Sequence, residues 1–223
     1  MELSKRAKKY LDSLKRDKNY SSGKKSTTAY LEAQLGSDFE EFIKFQVNYS
    51  GYKFTIKKAK HHNFSAELFT RKQVKKNKPI EVEKMGDRLI AMCGYHLSAP
   101  FSFFITDKGE FCTLDDTDMP HIIHSSFEKF IETYALKNKH YKYTETPYYT
   151  VKNSKLLEEV MSEDFKVLPE CSDDYSTWWK KGKIIAVKGI WLDQPVSYFH
   201  VYSEDSDAGE ALVQLLKDKE ILE

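Results

Sequence analysis

Apolar positions recur along this chain at two spacings, and these assign most of it to helices and strands. Leu3, Ala7, Tyr10, Leu11 and Leu14 lie three or four residues apart, which predicts an amphipathic first helix. Residues 19–25 read as a loop. Ser37-Asp38-Phe39-Glu40 has the form of a capping box, with Ser37 opening a helix and Glu40 reaching back. Phe39, Phe42, Ile43, Gln46 and Val47 would be its inner stripe, and Gly51, free to take a positive φ, its end. Tyr52, Phe54 and Ile56 then alternate with polar residues, predicting a strand, and residues 64–69 predict another. Residues 71–78 read as a basic turn or loop halted by Pro79. Ile80 and Val82 alternate with glutamates as a half-exposed strand would. Residues 89–93 form a buried-looking strand after the Gly86-Asp87 turn. Residues 102–106 and 110–114 flank Asp107-Lys108-Gly109, a hairpin connection in which Gly109 tolerates the left-handed conformation.

Residues 115–120 make an acidic loop. Ser125-Ser126-Phe127-Glu128 is a second capping box. It opens a helix whose stripe is Phe127, Phe130, Ile131, Tyr134 and Ala135 and which fades over 137–139. Residues 140–151, rich in Tyr and Thr and containing Pro147, form a connector and a boundary. Residues 154–161 predict a short helix, 163–174 an acidic loop, and 183–191 with 196–203 a hairpin across Leu192-Asp193-Gln194-Pro195. Asp207-Ala208-Gly209-Glu210 is a third capping box, and Leu212, Leu215, Leu216 and Leu222 mark the last helix. Strands run together and helices close them, so the expected fold class is α+β. A central antiparallel sheet would be flanked by helices, with a C-terminal α-ββ-α extension. The expected parts are a basic helix and loop over 1–27, an α+β domain over 28–140, and an extension over 141–223 that packs on that domain or stands apart.

Composition narrows the classes. Hydrophobic residues at 40% and aromatics at 14% suffice for a core in 223 residues, which excludes wholesale disorder. Lys+Arg 35 against Asp+Glu 34 leaves a net charge of +1, without the overall basic excess usual in a nucleic-acid binder. Recognition by charge would have to come from local patches. Cys93, Cys112 and Cys171 are odd in number and far apart, which fits reduced thiols in a cytoplasmic protein rather than a disulfide framework. No apolar run approaches the roughly 18 residues of a membrane span, and the N-terminus leads into lysines rather than a secretory signal.

No catalytic constellation emerges, so no enzyme activity, cofactor or metal is expected. His121 and His124, with Asp115, Asp116 and Asp118 upstream, fit no standard zinc spacing. His61 and His62 would point to opposite sides of an extended segment. Cys93 and Cys112 read as packed thiols. There is no nucleophile elbow, phosphate loop or dinucleotide fingerprint. Charge runs are more informative. Residues 107–118 hold five Asp/Glu and one Lys, and residues 158–174 hold seven and one. Solubility explains such runs, and so does docking onto a basic partner. The candidate contact residues are Asp107, Glu110, Asp115, Asp116 and Asp118, with Trp178-Trp179 beside Lys180-Lys181 as an exposed anchor if they are not core. Residues 1–30 carry nine Lys/Arg against three Asp/Glu, and residues 53–78 nine against Glu67 alone.

Four elements, in order, resemble the SUKH superfamily of bacterial immunity proteins and fungal regulators of cell-wall glucan synthesis. They are the helix-to-glycine segment 39–51, Gly86-Asp87-Arg88-Leu89, the hairpin Phe104-Ile105-Thr106-Asp107-Lys108-Gly109-Glu110-Phe111, and Ser126-Phe127-Glu128-Lys129-Phe130-Ile131. The resemblance spans residues 28–138. The chain departs from the pattern in having Leu35-Gly36 where the family commonly has Leu-Pro, in the basic character of 53–78, and in everything after His140. The resemblance implies an α+β fold with a central sheet and a non-catalytic, protein-binding role, typically neutralising a toxin by direct binding; the acidic runs add the expectation that the partner is a basic toxin domain. Three alternatives stand beside it. They are an intracellular regulatory or scaffold module of the cell-wall-regulator type, a nucleic-acid binder using the two basic segments, and a hydrolase built around His121, His124 and the loop 115–118.

Overall fold

The computed structural model describes all of the chain except Met1, Asp38, residues 58–62, residues 97–100, Asp116, Asp193, Pro195 and the side chains of Asn63 and His96. The fold is α+β, with two antiparallel sheets and seven α-helices among the described residues. The chain divides into two units, Met1–Asn138 and Lys139–Glu223.

The first unit opens with α1 (Lys5–Asp12), which Ser4 caps by accepting from the Ala7 amide and which buries Ala7, Tyr10 and Leu11. A 3-10 turn (Lys18–Tyr20) follows, then α2 (Lys24–Leu35), over residues to which the apolar spacing assigns no element. α3 (Glu40–Asn48) starts two residues later than a box on Ser37 requires. Phe39 holds the N-cap position at φ 42°, and no side chain caps the helix. At its other end Gly51 sits at φ 95°, and a Cβ there would lie 2.4 Å from the Asp17 carbonyl oxygen. Both the turn and the close approach require glycine.

β1 (Lys53–Thr55) and β2 (Asn63–Ala66) lead to α4 (Arg71–Lys76), where a basic loop was expected. Thr70 and Gln73 make a full capping box, and Val74 anchors the helix in the core; one buried side chain in six is too sparse a stripe to read as a period. The half-exposed strand expected at Ile80 and Val82 lies further along, as β3 (Glu83–Met85). β4 (Arg88–His96), β5 (Ser102–Thr106) and β6 (Phe111–Leu114) follow their expected positions, with Gly109 at φ 84° in the hairpin. β7 (Pro120–His124) then pairs back on β6, and α5 (Phe127–Lys139) closes the unit. The strand order is β1-β2-β4-β5-β6-β7, with β3 also on β4. Phe54, Phe64 and Phe111 from the sheet meet Phe127 and Phe130 of α5, Phe103 packs on Phe64 and Phe111, and Phe45 of α3 meets Phe127, in ring contacts mostly tilted or edge-on.

The second unit contains β8 (Thr144–Glu145), β9 (Tyr149–Thr150), α6 (Ser154–Asp164), β10 (Lys166–Val167), β11 (Thr177–Lys181), β12 (Ile184–Ile190), β13 (Ser197–Ser203) and α7 (Ser206–Asp218). The sheet runs β10-β11-β12-β13-β8, with β9 also on β13. α7 begins two residues before the expected box. Asp205 is its cap and accepts from the Asp207 amide. Its inner residues are Gly209, Val213 and Leu216; Leu215 is exposed, and Leu222 is buried beyond the helix end. Leu157, Met161, Trp179, Phe199, Val201, Val213, Leu216 and Leu222 belong to one core cluster. Among the described residues no helix is long and apolar enough to cross a membrane.

Candidate functional site

The acidic run 107–118 straddles β6, so its members stand before and after that strand. At the β5–β6 hairpin most of the charge is spent inside the unit. Arg88 grips Glu110 with two guanidinium nitrogens, at 2.6 and 3.0 Å, and Thr106 donates to the same carboxylate. The Arg88 bonds and charge hold the Glu110 carboxyl below the usual range against the opposing effect of burial. Lys108 pairs with Asp87 across the neighbouring turn at 2.5 Å. Asp107 accepts from the Leu89 amide and so ties β5 to β4. At this hairpin Glu110 is held through both carboxylate oxygens and Asp107 through one.

The β6–β7 turn differs. One oxygen of Asp115 accepts from the Thr117 amide, the Thr117 hydroxyl and the Met119 amide, all within 2.9 Å. These bonds hold the Asp115 carboxyl below its ordinary value. Asp115 therefore folds the turn, and Asp118 is what the turn presents. Asp118 is exposed at φ 59°, a region Asp tolerates better than most side chains, and Met119 beside it is 47% exposed. Asp116 lies outside the described residues.

Trp178 and Trp179 are not exposed anchors. They are 2% and 1% accessible, Trp179 within the core cluster and Trp178 stacked 6.0 Å from Tyr202. Adjacent residues on β11 point to opposite faces of the sheet, and both faces bury their tryptophan.

His121 and His124 sit on β7, opposite Thr113 and Phe111, and a bulge between the two pairings sets them on one side of the strand. His124 is buried and stacks on Phe111. Among the described residues no group of three or more His, Cys, Asp or Glu is placed to hold a metal ion. His61 and His62 lie outside the described residues. All three cysteines are buried. Burial pushes the Cys112 thiol up to about 12 and Cys93 well above its ordinary value, so both stay protonated at neutral pH.

Sequence spacing misses two buried carboxylates on α5. Glu128 accepts from Tyr49 at 2.8 Å and pairs with Lys44 at 3.0 Å. Burial alone would raise its carboxyl, but the Lys44 and Tyr49 bonds and the Lys44 charge outweigh it and lower it. Glu132, fully buried, accepts from the Ser4 amide and hydroxyl and from Arg6. The basic N-terminal segment is thus partly consumed by the fold. Arg6 clasps α5, and Arg16 donates to the Ser50 and Val47 carbonyls at the end of α3. A signal exists in hindsight: Glu128 and Glu132 stand one helical turn apart, and two cationic residues on α1 and α3 were available to pair with them.

Comparison of the chain with family models, with curated proteins and with solved structures gives no match.

Proposed function

We propose that this chain is a non-catalytic, cytoplasmic protein-binding module that neutralises a toxin by direct binding, in the manner of an immunity protein. The supporting observation is the order of elements in the first unit. A helix ending at Gly51, a turn at Gly86-Asp87, a hairpin at Asp107-Lys108-Gly109 and a closing helix from Phe127 succeed one another as in the SUKH pattern. The contact surface is narrower than the acidic run suggests. With Glu110 and Asp107 engaged by Arg88 and Leu89, the β6–β7 turn, with Asp118 and Met119 outward, is the part left to meet a basic partner. An acidic turn with an exposed thioether offers charge steering and an adaptable apolar contact together.

The test uses Asp118→Asn, which removes the charge while keeping a residue that tolerates the left-handed conformation. Affinity for a partner isolated from the native lysate should fall severalfold at low salt and much less at high salt, because screening already removes that attraction. An affinity unchanged at low salt would exclude the turn as the contact.

A further inference from the structure

Two basic segments far apart in sequence come together on the first unit. α4 packs against both the 3-10 turn at Lys18–Tyr20 and α2. Gln46, fully buried in α3, donates to the carbonyls of Tyr20 and Phe69 and to the Ser22 hydroxyl, binding the two segments at one end. At the other end Tyr30 donates to the Lys78 carbonyl, and the Gln34 amide donates to Asn77. The seam is therefore fixed. Along it lie Lys18, Lys24, Lys25, Arg71, Lys72, Lys75, Lys76 and Lys78, all exposed. Over residues 17–35 and 67–78 three carboxylates, Asp17 at the cap of the 3-10 turn, Glu32, and Glu67 beside Tyr20, stand against these eight cations.

Helix stability does not account for this placement. Lys24 and Lys25 occupy the first turn of α2, and Arg71 and Lys72 the first turn of α4; neither first turn holds an acidic residue. The helix dipole disfavours positive charge there, and the like charges repel one another. Over the described residues 18–35 and 70–78 the patch bears no large exposed apolar side chain; those among the described residues of the first unit, Met92, Tyr95 and Met119, belong to β4 and the β6–β7 turn. That argues against a protein interface, whose core needs an aromatic or apolar anchor and is depleted in lysine. It also argues against a membrane surface bound by an inserting apolar face. Lysine predominates, a point charge without the planar fork that reads a base pair.

We propose that this face binds the phosphate backbone of a nucleic-acid duplex without reading its sequence. It is a second binding surface, independent of the toxin-binding reading and carried by a different part of the unit. With about five phosphates engaged, affinity for a duplex should fall roughly 500-fold between about 50 and 200 mM salt. In Lys72→Gln/Lys75→Gln/Lys76→Gln, with about two phosphate contacts left, the same change in salt should cost only roughly tenfold.

The experiment measures binding of the full chain to a labelled random-sequence duplex across that salt range. Beside it stand the α4 triple variant, the triple variant Lys18→Gln/Lys24→Gln/Lys25→Gln on the other side of the seam, and a charge-matched control in the second unit, Lys155→Gln/Lys166→Gln/Lys219→Gln. Both seam variants should lose affinity and flatten the salt dependence, while the control binds like the wild type. Because the two seam variants alter different elements, misfolding of one leaves the other to decide. Equal loss in the control, binding to anionic phosphatidylserine vesicles but not to the duplex, or no duplex binding at low salt would each overturn the proposal.

Discussion

Replacing Glu132 by alanine removes the acceptor on which the N-terminal helix is seated. The side chain is fully buried and takes three donors, the Ser4 amide at 2.6 Å, the Ser4 hydroxyl at 2.8 Å and the Arg6 guanidinium at 2.8 Å. Breaking a buried ion pair from one side costs about 3–5 kcal/mol. Arg6 is 21% exposed and regains water once freed, which places Glu132→Ala near the lower end, at about 3 kcal/mol. The effect should be local first. Amides of α1 should exchange with solvent faster, while those of β11 and β12 keep their protection. Tryptophan emission is the wrong probe for this variant, because Trp178, Trp179 and Trp191 all lie in the second unit. Denaturant unfolding followed by backbone signal, with amide exchange alongside, reads the right part of the chain. Arg6→Ala/Glu132→Ala should be less damaging than the two single losses summed, by at least about 1 kcal/mol, since residues sharing one ion pair couple. A Glu132→Ala protein within about 0.5 kcal/mol of wild type, or strict additivity in the cycle, would refute the seating of α1 on α5.

Gln46→Ala should destabilise the first unit by about 2–4 kcal/mol in denaturant unfolding, because it strands the buried Phe69 amide and carbonyl as well as the Tyr20 carbonyl. Gly51→Ala should cost more than about 2 kcal/mol, since a Cβ at φ 95° would lie 2.4 Å from a backbone oxygen; a melting temperature equal to wild type would contradict that geometry. Glu110 has a lowered carboxyl, so its stabilising contribution is present above the unfolded glutamate value of about 4.3 and fades as pH falls through the folded value. Arg88→Gln should therefore reduce stability at neutral pH and flatten the acid limb of the stability curve; a limb as steep as that of wild type would remove the Arg88–Glu110 pair as its cause.

What the sequence made legible follows from how strongly each segment announces its period. α5 carries five apolar residues on one stripe and lies where expected, as do the hairpin at Asp107–Gly109 and the helix end at Gly51. α2 buries only Thr27, Tyr30 and Leu31 and has Gly23 in place of a capping side chain, so neither period nor cap marks it. α4 depends on Thr70, Gln73 and one buried valine, and a run of lysines looks the same in a loop. The site was harder still. Spacing counts carboxylates but does not reveal which are already bonded. The Arg88 and Leu89 contacts that engage Glu110 and Asp107 arise from strand pairing, as does the burial of Trp178 and Trp179 on the two faces of β11. Glu128 reads as part of a capping box and Glu132 carries no signal of its own, because the helices that cover them come from elsewhere in the unit.

The most direct measurement is affinity isolation from the native lysate with the wild-type chain and with Asp118→Asn, eluting by rising salt and identifying retained proteins by mass. Expected is one basic protein, held near stoichiometrically by the wild type, released as salt rises and depleted with Asp118→Asn. No retained protein, or a partner whose retention neither salt nor Asp118→Asn alters, would contradict a binding module that meets its toxin through the acidic turn.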